Sequence, residues 1–199
     1  MKTDPKRMDE TSRTSFKEVY PLISHQIIGR CGIKEGICID IGSGPGALAI
    51  AISKVTDLNI YSLDIEEEMN KIAKKNIIDE KLHRRIFPVN GNVHKLPFTD
   101  DFADLIISRG SMFFWEDKET SFKEIYRVLK PGGWAYIGGG FGSKTLKNKI
   151  KQSTNNSRKE HNNIPKISIK KLELTLNNSP IKNYQILNDN SGLWVLFKK

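Results

Sequence analysis

The feature that most constrains the fold is a short apolar strand that runs directly into a glycine-rich loop. The strand is expected over residues 36–41, and the loop at its end, residues 40–46, has the sequence DIGSGPG. Glycines allow a close approach between backbone and ligand, and Pro45 suits the first position of a helix. Free N–H groups at a helix start favour polar or anionic ligand groups. The sequence therefore predicts a strand, loop and helix that bind a ligand.

Predicted strands and helices alternate along most of the chain. Strands are expected at residues 36–41, 59–64, 85–90, 103–108, 134–138, 183–187 and 193–198, and helices at residues 10–31, 45–55, 66–76, 117–129, 143–160 and 168–178. Pro21 is expected to kink or split the first helix. Such alternation predicts a parallel sheet with helices on both faces, and the turn over residues 188–192 predicts an antiparallel final pair.

We therefore expect one α/β domain over residues 1–199, a Rossmann-like three-layer α/β/α sandwich. Its sheet has seven mostly parallel strands and an antiparallel last strand. Residues 1–33 are expected to form a helical lid, residues 34–142 a cofactor-binding core, and residues 143–199 basic helices and the final strand pair. Ligands of such sheets bind beyond the carboxyl ends of the strands.

Charge and cysteine content limit the class of protein. The net charge of +9 is confined to residues 144–199, which hold twelve Lys and Arg against three Asp and Glu. This excess indicates either a solvated face or, through residues 144–171, a surface for nucleic acid or another acidic partner. The N-terminus has no apolar segment typical of a secretory signal. Cys31 and Cys38 are expected to be reduced thiols in a cytoplasmic protein.

A second acid, Asp64, is compatible with two classes of cofactor, and Asp40 distinguishes between them. Asp64 ends the second predicted strand, where a carboxylate accepts both hydroxyls of a ribose. The loop then fits either a nicotinamide dinucleotide, as Gly42-x-Gly44-x-x-Ala47, or S-adenosylmethionine (SAM). Asp40 would repel a pyrophosphate over the loop and attract the ammonium of SAM. The electrostatics favour SAM.

Several segments together resemble the class I SAM-dependent methyltransferases, in particular the type 11 domain group of the ubiquinone and menaquinone biosynthesis methyltransferases. The segments are CIDIGSGPG at 38–46, SLDIEEEM at 62–69, GNVHKLPF at 91–98, FADLIIS at 102–108 and EIYRVLKPGGWAYI at 124–137. The resemblance covers about residues 34–142. It implies SAM as cofactor and S-adenosylhomocysteine (SAH) as product.

The resemblance also implies roles for single residues. Residues near the methionine part of SAM would be Asp40, Gly42, Ser43, Gly44 and Gly46. Asp64 would bind the ribose, and Ile65, Met69, Asn92 and Val93 would surround the adenine. The family more often has Asp where this chain has Asn92, whose carbonyl oxygen can still accept a hydrogen bond from an amine. Ser108 and Arg109 would lie beside the methyl-bearing end.

The segment after the fourth strand narrows the substrate. RGSMFFW, residues 109–115, contains neither the Asn/Asp-Pro-Pro-aromatic motif of base amine methylation nor the Pro-Cys of cytosine C5 methylation. Acidic residues appear only from Glu116 onward, so no metal site is expected. Substrate contacts are predicted for Tyr20, Arg109, Phe113 and Trp115. The alternatives are core packing for the aromatic residues and a salt bridge for Arg109, which could otherwise bind a carboxylate or phosphate.

Methyl transfer needs a nucleophile held in line with the methyl group and water kept out, so no catalytic residue is assigned. His94 is a conceivable base but is expected at the surface, and His25, His83 and His161 are weaker candidates. We predict methyl transfer to a small molecule in a shallow, open site. The alternatives are an RNA or protein methyltransferase that uses the basic quarter, a non-catalytic SAM-binding module, and an NAD(P)-dependent oxidoreductase.

Overall fold

A computed structural model of the chain describes residues 4–153 and 164–199. In these residues seven helices and seven strands alternate, with one short 3-10 helix over Met112–Phe114. The helices are α1 (Pro5–Arg13), α2 (Val19–Cys31), α3 (Ala47–Ser53), α4 (Glu67–Asp79), α5 (Lys118–Val128), α6 (Lys144–Ser153) and α7 (Ile169–Asn177). The strands are β1 (Ile37–Ile41), β2 (Asn59–Asp64), β3 (Ile86–Asn90), β4 (Ala103–Arg109), β5 (Leu129–Gly140), β6 (Tyr184–Asp189) and β7 (Gly192–Lys198).

All seven strands form one sheet, and their order confirms the predicted fold. The order is β3-β2-β1-β4-β5-β7-β6. Neighbours among β1 to β5 are parallel, whereas β7 runs antiparallel to both β5 and β6. The strand order reverses between β1 and β4, and a ligand crevice forms at such a switch point. The carboxyl ends of β1, β2 and β4 therefore meet at one edge of the sheet.

Two hydrophobic cores lie on opposite faces of the sheet. Along β1, Cys38 belongs to the core under α2, α3 and α4, while Ile39 and Ile41 belong to the core under α5 and α7. This alternation follows from the two-residue period of a strand. Asp40 has the parity of Cys38, so its carboxylate points into the layer of α2 and α3.

The N-terminal segment differs from the predicted single helix. Two helices are present, and the chain turns over residues 14–18 between them. The break does not fall at Pro21, because this proline lies in the first turn of α2, where its missing N–H leaves no helical hydrogen bond unmade. Pro45 is also not the first helical residue. It lies in the loop, and α3 begins after Gly46, whose φ is 82°.

The C-terminal quarter follows the predicted pattern within the described residues. The structure has α6 over part of the expected 143–160 helix, and residues 154–163 lie outside the described part.

Strand β5 begins at Leu129, earlier than expected, and runs through the Pro131-Gly132-Gly133 segment. In residues 4–153 and 164–199 we find no helix with the length and hydropathy needed to cross a bilayer.

Candidate active site at the carboxyl ends of the strands

Asp40 is a buried acid without a full set of partners. It is 1% exposed, and its Oδ2 atom has no hydrogen-bond partner. The pKa of Asp40 is raised to about 8, chiefly by burial; a hydrogen bond from the Ala49 backbone N–H opposes this shift and the nearby carboxylate of Asp64 adds to it. A buried carboxylate of this kind is stabilised by a cation, which is the partner predicted from the sequence.

The loop after β1 has the backbone conformation that its glycines allow. Gly42, Gly44 and Gly46 have φ values of 65°, 54° and 82°. The Gly42 and Ser43 N–H groups donate to the Leu63 carbonyl at 2.8 and 3.0 Å, which ties the loop to β2. A Cβ atom on Gly42 would clash with the side chain of Ser111. The loop is thus a tight backbone cradle, and the buried Ser43 hydroxyl in it lacks a partner.

Asp64 is held in place at the end of β2. Its Oδ2 accepts the Gly44 N–H at 2.8 Å, and its Oδ1 accepts the Glu66 N–H at 3.0 Å. Burial raises its pKa, and these backbone hydrogen bonds oppose the shift. Each carboxylate oxygen keeps acceptor capacity beyond one N–H, so both remain available to a pair of hydroxyls.

Two asparagines that the sequence analysis did not select support this strand end. The Asn70 amide donates to the Asp64 carbonyl at 3.0 Å, and the Asn90 amide donates to the Ile65 carbonyl at 3.1 Å. The buried Oδ1 atom of Asn70 has no partner. Asn90 is the last residue of β3, so its position at the end of a predicted strand could have identified it from the sequence. No feature of the neighbouring sequence could have identified Asn70, which lies within α4.

The predicted adenine residues form one side of this region. Ile65 is 61% exposed beside Asp64, whereas Met69 and Val93 are buried. Asn92 is exposed, and its Oδ1 accepts the His94 N–H at 2.9 Å. The His94 ring in turn accepts the Asp117 N–H at 3.2 Å, which indicates a structural role. An exposed apolar side chain next to a fixed carboxylate suits a flat base attached to a ribose.

At the end of β4 a second serine connects the site. Ser108 is fully buried, and its hydroxyl lies 2.6 Å from that of Ser111. The Ser111 oxygen also lies 3.1 Å from the Ile41 carbonyl and accepts the Trp115 indole N–H at 3.2 Å. Ser111 therefore links the ends of β1 and β4. Only its position after the strand could have identified Ser111 from the sequence.

The Arg109 side chain contacts a backbone carbonyl and two aromatic rings. Its Nε and Nη2 donate to the Gly140 carbonyl at 3.1 and 2.9 Å. Its Cζ atom lies 4.8 Å from the ring centre of Phe16 and 4.9 Å from that of Tyr20. Within the described part of the chain no Asp or Glu forms an ion pair with it, so the expected alternative of a salt bridge to a loop carboxylate is wrong there.

The other predicted substrate residues occupy different environments. Tyr20 is half-buried, and burial raises the pKa of its phenol although Arg109 lowers it. Phe113 is partly buried at the 3-10 helix. Trp115 is 7% exposed and packs on Phe122 with ring centres 6.0 Å apart, an arrangement that favours core packing. His25 on α2 and His83 before β3 are exposed, and His161 lies outside the described residues.

Helix α1 covers the glycine loop, and the shallow, open substrate site expected from the sequence stays a prediction. The Met8 sulfur lies 3.2 Å from the point where a Cβ on Gly44 would stand. Buried Asn76 of α4 donates to Asp9 of α1 at 2.7 Å and to the Pro45 carbonyl at 2.9 Å, and it accepts a hydrogen bond from Arg13. These contacts hold the helix over the cofactor end.

The residues present fit a cofactor of the predicted kind. The unpartnered atoms Asp40 Oδ2, Ser43 Oγ and Asn70 Oδ1 are all buried around the same loop. A ligand with an ammonium, a carboxylate and a ribose would supply partners for them. The acid at Asp40 disfavours a pyrophosphate.

Comparisons with known proteins agree with this geometry. The family described as a methyltransferase domain matches residues 39–137. A crystal structure of a candidate S-adenosyl-L-methionine-dependent methyltransferase from Methanococcus maripaludis is 44% identical, has a TM-score of 0.92, and is matched over 100% of this chain and 97% of that chain.

Two curated relatives match shorter stretches. YdaC of Bacillus subtilis, an uncharacterized methyltransferase, is 30% identical over 112 residues, which are 55% of this chain and 60% of that protein. The demethylmenaquinone methyltransferase of Chlorobaculum parvum is 32% identical over 106 residues, 53% of this chain and 42% of that protein. The chain thus spans between two fifths and three fifths of these relatives.

These matches set aside the dinucleotide alternative, and they agree with SAM as the cofactor of the site. The family match covers the sequence from β1 to β5, which includes the glycine loop and Asp64. The chain belongs to the class I SAM-dependent methyltransferases.

Proposed function

We propose that the protein transfers a methyl group from SAM to a small-molecule acceptor. The observation that carries the proposal is the unpartnered, buried Oδ2 of Asp40 beside a glycine cradle and a second acid at the end of β2. When bound, SAM supplies an electrophilic methyl group. The protein's part is to bind and orient the two reactants and to exclude water.

In this proposal, different residues bind different parts of the cofactor. Asp40 binds the ammonium, and the glycine loop, residues 42–46, packs against the methionine part of SAM. Asp64, fixed by two backbone N–H groups, accepts the ribose hydroxyls. Around the adenine we place Ile65, Met69, Asn92 and Val93. Ser108 lies beneath the reacting end, and Arg109 stands at its rim.

In this proposal the rate enhancement comes from orienting the reactants and excluding water, and two features of the fold contribute to it. Ser111 holds the end of β4 against the end of β1. The distance between the acceptor side and the cofactor side of the site is therefore kept constant. Helix α1 covers the glycine loop and keeps water from the cofactor end. Well-oriented reactants gain several kcal/mol over free ones, about 7 or more in favourable cases.

A small-molecule acceptor is supported by the relatives and by the side chains around Arg109. Similar proteins include methyltransferases named for demethylmenaquinone and for sterols. The aromatic rings of Phe16 and Tyr20 lie against the Arg109 guanidinium, and aromatic side chains are common in sites for small organic ligands. The cytoplasmic location stays a prediction that rests on the two unpaired, buried cysteines.

Transfer of labelled methyl groups tests the proposal. The protein is incubated with methyl-labelled SAM and, separately, with an ultrafiltered small-molecule extract, with RNA and with protein from the same cells. We expect label only in the small-molecule fraction and none with heat-treated protein. Label in RNA or protein alone would favour the basic C-terminal surface as substrate site. Tight SAM binding without transfer to any fraction would indicate a non-catalytic binding module.

A further inference from the structure

The Arg109 guanidinium is a half-buried cation without a carboxylate partner in residues 4–153 and 164–199. Its Nε and Nη2 groups share the Gly140 carbonyl. Its Nη1 lies 3.5 Å from the Tyr20 hydroxyl, at the long limit for a hydrogen bond. A guanidinium offers five N–H donors, so the Nη1 edge keeps unused donors. Charges taken out of water are almost always paired, and this one lacks its counterion.

The surroundings of this edge are aromatic. Phe16 and Tyr20 lie on the guanidinium, and Phe16 contacts Phe141 with ring centres 5.8 Å apart. The Phe113 ring lies against Gly139, the residue before the carbonyl that holds Arg109. One fixed cation between apolar rings is the arrangement of a site for an organic molecule with a single anionic group.

We propose that Arg109 binds a carboxylate or phosphate group of the methyl acceptor, which makes the substrate a small organic acid with an apolar body. This inference rests on the proposed function. The planar guanidinium pairs with such groups through two parallel hydrogen bonds. The Tyr20 hydroxyl, 3.5 Å from Nη1, is a further donor beside this edge. Burial keeps this phenol protonated by raising its pKa.

The carboxylate of SAM itself is the other source of an anion, and the geometry favours the acceptor. Arg109 pairs with Gly138 of β5 in the sheet, and its side chain reaches the Gly140 carbonyl on that same strand. The glycine loop follows β1, on the opposite side of β4. The guanidinium is therefore anchored on the side of β4 that faces β5, whereas the glycine loop lies on the side that faces β1.

Calorimetry on SAH-loaded protein tests the proposal with three probes: benzoate, phenyl phosphate and the neutral benzamide. The variants are Arg109→Gln, Arg109→Lys and the control Arg84→Gln, which removes an exposed charge from the loop before β3. We expect wild type and Arg84→Gln to bind at least one anionic probe and not benzamide. Arg109→Gln should weaken that binding by at least about tenfold, and Arg109→Lys by less, because a lysine keeps the charge without the fork.

SAH affinity separates the two sources of the anion. We expect Arg109→Gln to bind SAH within about twofold of wild type. A large loss of SAH affinity, with unchanged affinity for 5′-methylthioadenosine, which lacks the amino-acid carboxylate, would assign Arg109 to the cofactor and overturn the proposal. Failure of wild type to bind either anionic probe would also overturn it. If wild type does not bind SAH, the proposed function fails, and the same probes titrated on free protein still test Arg109.

Discussion

At the scale of single residues, the proposed role of Asp40 in cofactor binding depends on its charge. Its pKa is raised to about 8, chiefly by burial. Below that pH the cofactor-free protein holds it largely neutral, and only the ionised form attracts an ammonium. We expect SAH affinity to rise with pH between about 6 and 7.5, by at most about tenfold per unit. Calorimetry across this range measures it, and Asp40→Asn should bind more weakly with no such slope. A wild-type affinity independent of pH would contradict this role.

The same residue is predicted to lower the stability of the free protein. Its folded pKa, about 8, lies above the ordinary 3.8, so between these values folding must take up a proton. Stability attributable to this group is therefore lost as pH rises from about 4 to about 8, by at most about 1.4 kcal/mol per unit. We expect urea unfolding to show Asp40→Asn gaining on wild type over this range and levelling off above it. The exposed Asp79→Asn is the control, and an advantage that does not change with pH would refute the expectation.

Residues at strand ends were predictable from the sequence, but the residues that join those ends were not. Asp40 and Asp64 follow apolar runs of a type that predicts strands, so their position is a local property. Ser111 lies 70 residues from the carbonyl of Ile41 that it contacts, and Asn76 lies 67 residues from Asp9. Such contacts arise only when the sheet order brings distant segments together.

At the scale of secondary-structure elements, α1 is held over the site through one buried side chain. Asn76→Ala leaves Asp9, Arg13 and the Pro45 carbonyl without their shared partner. We expect a loss of about 1–3 kcal/mol in the free energy of unfolding and faster amide exchange in α1. Lys75→Ala, at an exposed position on the same helix, is the matched control. Unchanged exchange in α1 would show that other contacts hold this helix.

The break between α1 and α2 could not be predicted from the spacing of apolar residues. Apolar spacing indicated helix throughout residues 10–31, and Pro21 was the only evident interruption. A proline in a first turn costs nothing, so the pattern could not tell whether Pro21 began a helix or broke one. The turn over residues 14–18 instead places Phe16 against Arg109, a tertiary contact.

At the scale of the whole molecule, the excess of positive charge lies in residues 144–199, where most of the described lysines are exposed. Helix α6 buries Ile150 in the core and leaves Lys144 and Lys151 exposed. We expect the combined variant Lys144→Gln, Lys151→Gln and exposed Lys170→Gln to keep SAH affinity and methyl transfer within about twofold of wild type. Steady-state assays at low and high salt measure this. A loss of turnover that depends on salt would indicate an acidic macromolecular substrate.

The most direct measurement is calorimetric titration of the full chain with SAH. The variants are Asp64→Ala, which removes the proposed acceptor for the ribose hydroxyls, and Asp79→Ala, which removes an exposed acid from α4. Thermal unfolding confirms that each is folded. We predict micromolar binding by wild type and Asp79→Ala, and at least about tenfold weaker binding by Asp64→Ala. Folded wild-type protein that binds neither SAH nor SAM would contradict the central claim that this sheet edge is a SAM site.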